Sequence, residues 1–297
     1  MTSATATFLV GFLGIGAMGL PMARRIHDTG QRIRAVDLNP GQVSKASEMG
    51  IAASTAIDDL AAADALFVVV ATGDQLRGLL DSALLSGTGN IKTVVVLSTV
   101  GVDAVTDFAD SLANRGIRVI DCPVTGGVSG AVEGRLSLFV AGDPADVDAL
   151  RGPLETMGNV QDCGSRVGDG QAYKMVNQLL AASHLAIAGE ALAFARALGL
   201  DQGRALKAVG GGAGGSWMLS DRGPRMIQPP EQRPTQTHLS IFLKDTSLVK
   251  AAAARAGFDA RILNAVAEEF ERASAGGLTA DDSSIVDVVR SLPNNAE

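Results

Sequence analysis

Three glycines, Gly14, Gly16 and Gly19, lie in the stretch GFLGIGAMG with the G-x-G-x-x-G spacing that lets backbone wrap a pyrophosphate. Gly14 permits a tight turn, Gly16 a close approach by phosphate oxygens, and Gly19 close packing of a helix on a sheet. Ile15, Ala17 and Met18 complete the turn, and the helix that opens there offers unpaired N–H groups and the positive end of its dipole. The triplet alone is weak evidence in a glycine-rich chain. Here an apolar strand-like run precedes it and a helical pattern follows, which is the context the motif requires. Asp37 ends the next apolar run, 18 residues beyond Gly19, with Leu38 beside it. A carboxylate there accepts hydrogen bonds from ribose hydroxyls and repels a ribose 2′-phosphate, which favours NAD over NADP. A second reading stays open, in which Asp37 caps the helix beginning near Pro40 with help from Asn39. Arg34 and Lys45 are also near enough in sequence to meet a phosphate.

Two further groups have the chemistry to hold and deprotonate a small acid. Thr125, Gly126 and Gly127 offer a hydroxyl and successive backbone N–H groups without side-chain obstruction, an anion nest suited to a carboxylate. A bare strand-to-helix turn is the alternative. Lys174 stands three residues before Asn177 and four before Gln178, which puts all three on one helix face. Lysine loses its proton more readily when desolvated, and a neutral amine beside a positively charged nicotinamide can accept a hydroxyl proton. An ordinary solvated helix lysine is the other reading.

The elements that must position these residues follow from the apolar pattern. Strands are expected over 7–13, 32–36, 65–70, 93–97, 118–120 and 137–141, with helices over 18–29, 41–49, 74–85, 103–115 and one opening at Pro144. Such alternation implies a parallel sheet covered on both faces. From residue 171 the character changes: 171–198 reads as one buried helix roughly 42 Å long, and helices follow over 201–209, 239–256, 260–274 and 281–291. Residues 228–234, with three prolines, read as an exposed loop. The expected fold is α/β, a Rossmann-type dinucleotide-binding domain (1–167) joined by a long helix to an all-α C-terminal domain (168–297).

Composition narrows the function classes. There are 35 glycines in 297 residues, well above the usual share of roughly 7%, yet no G-x-y period, and 46% of the chain is hydrophobic. Collagen and disorder are therefore excluded. A net charge of −7, one Trp and one Tyr give no footprint for nucleic acid and no bulk attraction to anionic membranes. Cys122 and Cys163 are too few for a disulfide framework or a four-ligand zinc set, and read as free thiols in a reducing compartment. His27, His184 and His238 are far apart and form no ligand pattern, so no metal is expected. The N-terminus lacks the basic start of a signal peptide, and the uncharged stretch 175–189 is too short to span a bilayer. A soluble cytoplasmic protein is expected.

The segments DCPVTGGVSGAVEG from Asp121, GDGQAYKMVNQ from Gly168 and FLKDTSLV from Phe242, taken with the glycine turn, resemble the β-hydroxyacid dehydrogenase family over essentially the whole chain. The resemblance implies oxidation of a small hydroxy acid by hydride transfer to a nicotinamide cofactor, and a homodimer or homotetramer. It makes Lys174 the general acid/base and places the substrate carboxylate at Thr125, Gly126 and Gly127, where many relatives carry serine at position 125. The family often has two asparagines after the lysine; here Asn177 is assigned to orient the substrate and Gln178 to take the second place. Thr99, after the 93–97 strand, matches a cofactor contact, with Ala71 and Thr72 touching the dinucleotide through backbone. Lys244 matches the lysine that reaches towards the cofactor from the helical domain, a plain salt bridge being its other reading. Trp217 and the Asp281–Ser283 stretch resemble the L-threonate dehydrogenase branch, with Trp217 either walling the substrate pocket or packing the domain.

The reaction so implied is oxidation of L-threonate to 2-oxo-tetronate. Its runners-up are oxidation of 3-hydroxyisobutyrate and reduction of 2-hydroxy-3-oxopropionate (tartronate semialdehyde). The Tyr-x-x-x-Lys pair of short-chain dehydrogenases is absent, since Tyr173 directly precedes Lys174, and imine reductases commonly replace the lysine kept here. An NAD-binding sensor or scaffold is the non-enzyme alternative.

Overall fold

The computed structural model describes residues 8–87, 89–278 and 281–290. Six strands, β1 (Leu9–Leu13), β2 (Arg32–Val36), β3 (Ala52–Ser54), β4 (Ala65–Val68), β5 (Thr93–Val96) and β6 (Arg118–Asp121), form one sheet in the order β3-β2-β1-β4-β5-β6. All pairings are parallel. The order reverses between β1 and β4, which opens a crevice at the carboxyl ends of those two strands, where doubly wound sheets bind nucleotides. Helices α1 (Gly19–His27), α2 (Pro40–Glu48), α3 (Gly73–Gly78) and α4 (Val102–Ala113) make the crossovers, with two 3-10 turns after α3. The strands are buried because both faces are covered: β4 and β5 have no exposed residue. Phe12 and Phe67 stack across β1 and β4 with centroids 6.2 Å apart and are wholly buried. Each contributes on the order of 2 kcal/mol to holding the strands behind the glycine turn.

A small second sheet, β7 (Val124–Thr125), β8 (Leu136–Val140) and β9 (Gly158–Asp162), follows β6; β7 runs antiparallel to β8 and β8 parallel to β9. Helices α5 (Gly127–Glu133) and α6 (Pro144–Met157) connect them, and Asp143 caps α6 by accepting from Ala145 N at 2.9 Å. The rest is helical: α7 (Asp169–Ala197), α8 (Gln202–Gly210), α9 (Trp217–Met226), α10 (Leu239–Arg255), α11 (Arg261–Ala275) and α12 (Ile285–Arg290). The chain divides into two compact units, Met1–Lys174 and Met175–Glu297, so α7 begins in one and continues in the other. By length and composition alone α7 is apolar enough to cross a membrane, which the shorter uncharged stretch 175–189 is not.

Several expected elements differ. Strand 65–70 stops at Val68; Val69 N still donates to the Leu13 carbonyl at 2.8 Å, and Val70 N turns to the Ser98 hydroxyl at 2.6 Å. Helix 74–85 breaks after Gly78, and Ser82 is extended at φ −79°, ψ 144°. Strands β3, β7 and β9 and helix α9 were not expected: the strands are short or polar, and Gly223 and Pro224 disguise the helix. Ser216 starts α9 by accepting from Leu219 N at 3.0 Å. The 228–234 loop holds one 3-10 turn, Pro230–Gln232. The expected strand 7–13 begins on Thr7 and the expected helix 281–291 ends on Ser291, and both residues lie outside the described ones.

Candidate active site

The glycine turn occupies the crevice where the strand order reverses. Gly14 adopts φ +88°, and its N–H donates to the Val36 carbonyl at 2.8 Å. A methyl group on Gly14 would stand 1.9 Å from the Val69 carbonyl oxygen, and one on Gly19 the same distance from that of Gly14. The turn is thus pressed against the end of β4 and folded on itself. Gly16 differs, because a methyl there would meet nothing within 4 Å. Its outer side is open for a ligand, and the turn fits a pyrophosphate on that observation. Ala17 is exposed and Met18 half-buried, whereas the Ile15 side chain belongs to the core.

Asp37 is tied into the same turn. One carboxylate oxygen accepts from Ile15 N and the other from Asn39 N, each at 2.8 Å. The cap of α2 is Asn39, which accepts from Gly41 N at 2.9 Å, so the capping alternative for Asp37 is not what the structure shows. Leu38 is 89% exposed. Arg34 donates to the Asp59 carbonyl at 3.2 Å.

Along the rest of the sheet edge, Ala71 N donates to the Gln75 side chain at 2.8 Å, and the Thr72 hydroxyl caps α3 by accepting from Gln75 N at 3.2 Å. Those two polar groups hold the loop in place. Thr99 is half-buried beside Ser98, whose hydroxyl accepts from Val70 N at 2.6 Å. Thr125 ends β7, paired with Ser137. Gly126 and Gly127 both take positive φ, at 126° and 66°, a turn that excludes side chains at low cost only for glycine. A methyl on Gly127 would meet nothing within 4 Å, so this turn also has an open side.

Lys174 is on the first turns of α7 and is 5% exposed. A lysine this buried on a helix is uncommon and needs a reason. Asn177, half-buried, donates from Nδ2 to Gln178 Oε1 at 2.7 Å, and Gln178 Nε2 donates to Asp245. Asp245 in turn pairs with Lys244 at 2.9 Å, so the ion pair that was the second reading of Lys244 is present. Gln178 is 7% exposed and holds Asp245, which leaves Asn177 as the more accessible of the two amides.

Trp217 is 53% exposed, with the Arg222 guanidinium 5.1 Å from its ring centroid. Arg222 and Arg225 enter a buried cluster with Asp281 and Asp282, at 3.0 Å from Arg222 to Asp282 and 3.2 Å from Arg225 to Asp281. Burial alone would raise the Asp281 carboxyl. Hydrogen bonds from Ser283 and Gln236, and the charge of Arg225, hold it down at about 2. The Asp281–Ser283 stretch thus anchors the helix that carries Trp217.

Two residues given no role in the sequence reading join these groups. Asp121, at the end of β6, and Gln171, one turn before Lys174, are both wholly buried and bonded to each other at 2.9 Å. Burial pushes the Asp121 carboxyl up to about 6, against the pull of hydrogen bonds from Gln171 and Gly168. An aspartate directly after the buried Val119 and Ile120 was the available signal. Cys122 and Cys163 are free and buried, and burial raises both thiols, Cys163 to about 11. Neither is a thiolate at neutral pH. No metal cluster occurs among the described residues.

The profile of the NAD binding domain of 6-phosphogluconate dehydrogenase matches residues 9–168, and that of the NAD-binding of NADP-dependent 3-hydroxyisobutyrate dehydrogenase matches 168–289. The chain belongs to the β-hydroxyacid dehydrogenase family. An L-threonate dehydrogenase of Pectobacterium atrosepticum is 29% identical over 291 residues, covering 95% of this chain and 94% of that one. A 3-hydroxyisobutyrate dehydrogenase of Pseudomonas aeruginosa is 33% identical over 216 residues, covering 71% and 72%. The crystal structure of a 3-hydroxyisobutyrate dehydrogenase from Salmonella typhimurium shares the fold with a TM-score of 0.87 at 28% identity, covering 95% of this chain and 99% of that one. This β-hydroxyacid dehydrogenase is an NAD(P)-dependent enzyme acting on CH–OH donors.

Proposed function

We propose that this dehydrogenase oxidises L-threonate at C2 to 2-oxo-tetronate with NAD, Lys174 serving as general acid/base. The observation that carries the chemistry is a buried lysine one helical turn from Asn177 on the same face of α7. Lys174 Nζ takes the proton of the substrate hydroxyl, and returns it when the reaction runs towards the alcohol. The bound nicotinamide supplies the hydride acceptor. Asn177 orients the hydroxyl, supported by the hold of its neighbour Gln178 on Asp245. Thr125, Gly126 and Gly127 receive the carboxylate, supported by the open side of Gly127. By the family resemblance Trp217, which is half-exposed, is assigned to the substrate and Lys244, which pairs with Asp245 at 2.9 Å, to the cofactor.

Similarity to L-threonate dehydrogenase over 95% of the chain supports that substrate. The likeness to 3-hydroxyisobutyrate dehydrogenases favours a second reading, oxidation at C3. The product decides: NMR of the L-threonate reaction is expected to show a carbonyl at C2. A carbonyl at C3 would move the reacting hydroxyl away from C2, and no product would remove L-threonate as the substrate.

NAD is preferred because Asp37 puts a negative charge at the turn and the exposed Leu38 offers nothing to a 2′-phosphate. The Gly14, Gly16 and Gly19 turn receives the pyrophosphate, with Ala17 and Met18 at the helix start and Ile15 giving backbone only. Ala71, Thr72 and Thr99 line the cofactor along the sheet edge. Asp37→Asn with Leu38→Arg keeps an acceptor for Ile15 N while exchanging negative charge for positive. The pair is expected to move the NADH/NADPH preference, read as a Kd ratio, by roughly 100-fold, or about 2.7 kcal/mol. An unchanged ratio would refute the role of Asp37.

Residues 1–167 form the cofactor part and 168–297 the substrate and oligomer part, a division supported by the meeting of the two family profiles at residue 168. A homodimer or homotetramer is supported by exposed Val176, Leu180, Ile187 and Phe194 at helical spacing along α7. A monomer by light scattering would contradict it. The enzyme is read as soluble and cytoplasmic, without nucleic-acid or membrane partners, on its net charge of −7.

A further inference from the structure

We propose that Gln171 and Asp121 are positioning residues of this dehydrogenase: together they fasten the first turn of α7 to the carboxyl ends of β5 and β6 and so set where Lys174 stands. The inference rests on Lys174 being the acid/base.

The Gln171 amide uses its full hydrogen-bonding capacity. Oε1 accepts from Val100 N and Gly101 N, each at 3.0 Å, while Nε2 donates to Ser98 O at 3.0 Å and Asp121 Oδ1 at 2.9 Å. This fixes the orientation of the amide, since reversing it would set donors against donors. The other carboxylate oxygen of Asp121 accepts from Gly168 N at 3.1 Å and Gln171 N at 2.8 Å. Those N–H groups belong to the start of α7, where helix donors otherwise lack partners and a carboxylate is favoured. Backbone packing closes the same joint: a methyl on Gly170 would lie 2.5 Å from Phe139 O and 2.9 Å from Asp121 Oδ2. One side chain thus joins the loop after β5, the first residues before α4, the end of β6 and the catalytic helix.

Lys174 follows Gln171 by three residues, about 4.5 Å along the helix and on the same face. A rigid helix passes any shift at Gln171 to Lys174 nearly undiminished. A misplacement of about 1 Å at a reacting group costs on the order of 100-fold in rate. The donors that Asp121 accepts from are neutral N–H groups, and a buried carboxylate so held is retained at a cost that an apolar contact would avoid. Precise placement of the helix is what the arrangement achieves.

The test is a double-mutant cycle of Gln171→Met and Lys174→Met, read by kcat, KM for L-threonate and NADH affinity. Gln171→Met is expected to lower kcat by about 30- to 100-fold with KM and NADH Kd within about threefold, and to add little to the loss in Lys174→Met. If Lys174→Met turns over like the wild type, the acid/base reading fails. If Lys174→Met is slow but Gln171→Met is normal, or the two losses multiply, the positioning role fails instead. Gln171→Glu, which keeps both acceptor bonds to Val100 and Gly101, stands in if the methionine variant loses NADH binding. Loss of NADH binding in both would overturn positioning and leave a purely structural role.

Discussion

Replacing Lys174 with alanine is expected to lower kcat by roughly 10²- to 10⁴-fold, the range for losing a positioned general base. The substrate hydroxyl must shed its proton as hydride leaves the same carbon, and water is a poor acceptor in a site where the lysine itself is 5% exposed. NADH binding is expected to stay within a few-fold, because the glycine turn and Asp37 are untouched. Truncation also leaves room for a small primary amine. Added methylamine is expected to restore part of the lost rate in a concentration-dependent way, which distinguishes a missing base from a disturbed fold. Wild-type turnover in Lys174→Ala would refute the assignment.

The second large effect separates two glycines only two residues apart. Gly14→Ala would combine a left-handed backbone with a methyl 1.9 Å from the Val69 carbonyl. The expected destabilisation is about 3 kcal/mol or more, enough to lower Tm by several degrees. Gly16→Ala has neither fault: φ is not positive and the space is open. Its stability is expected to be unchanged or up to about 1 kcal/mol greater, while NADH affinity falls by about tenfold or more because the methyl occupies the phosphate side. Paired thermal melts and NADH titrations check this. Equal loss of stability in the two variants would contradict the division of labour within the turn.

The parts of this enzyme that sequence made legible are those where one local rule dominates. Apolar runs punctuated by glycine and aspartate marked β1, β4 and β5, which have no exposed residue, while β2 and β6 were legible from their buried Ile, Val and Ala despite exposed arginines. The glycine turn was legible for the same reason, because only backbone without side chains fits where Gly14 meets Val69. Helix α9 was hidden because Gly223 and Pro224 contradict local helix propensity; the Ser216 cap and the Arg222 and Arg225 pairs with Asp281 and Asp282 override it. Strand β9 reads GNVQD and draws its order from pairing with β8, a partner no local window contains. Asp121 and Gln171 were hidden in another way. They are 50 positions apart in sequence, and their importance exists only once β6 and α7 meet. The alternative for Asp37 closed similarly, when Asn39 proved to be the cap and Asp37 the partner of Ile15 N.

Whether the enzyme takes its hydride from C2 of a small hydroxy acid is read most directly from comparative kcat/KM for L-threonate and 3-hydroxyisobutyrate, followed as NADH absorbance at 340 nm. The expected preference for L-threonate is at least about 100-fold, or about 2.7 kcal/mol of transition-state discrimination. A comparable preference for 3-hydroxyisobutyrate would contradict it.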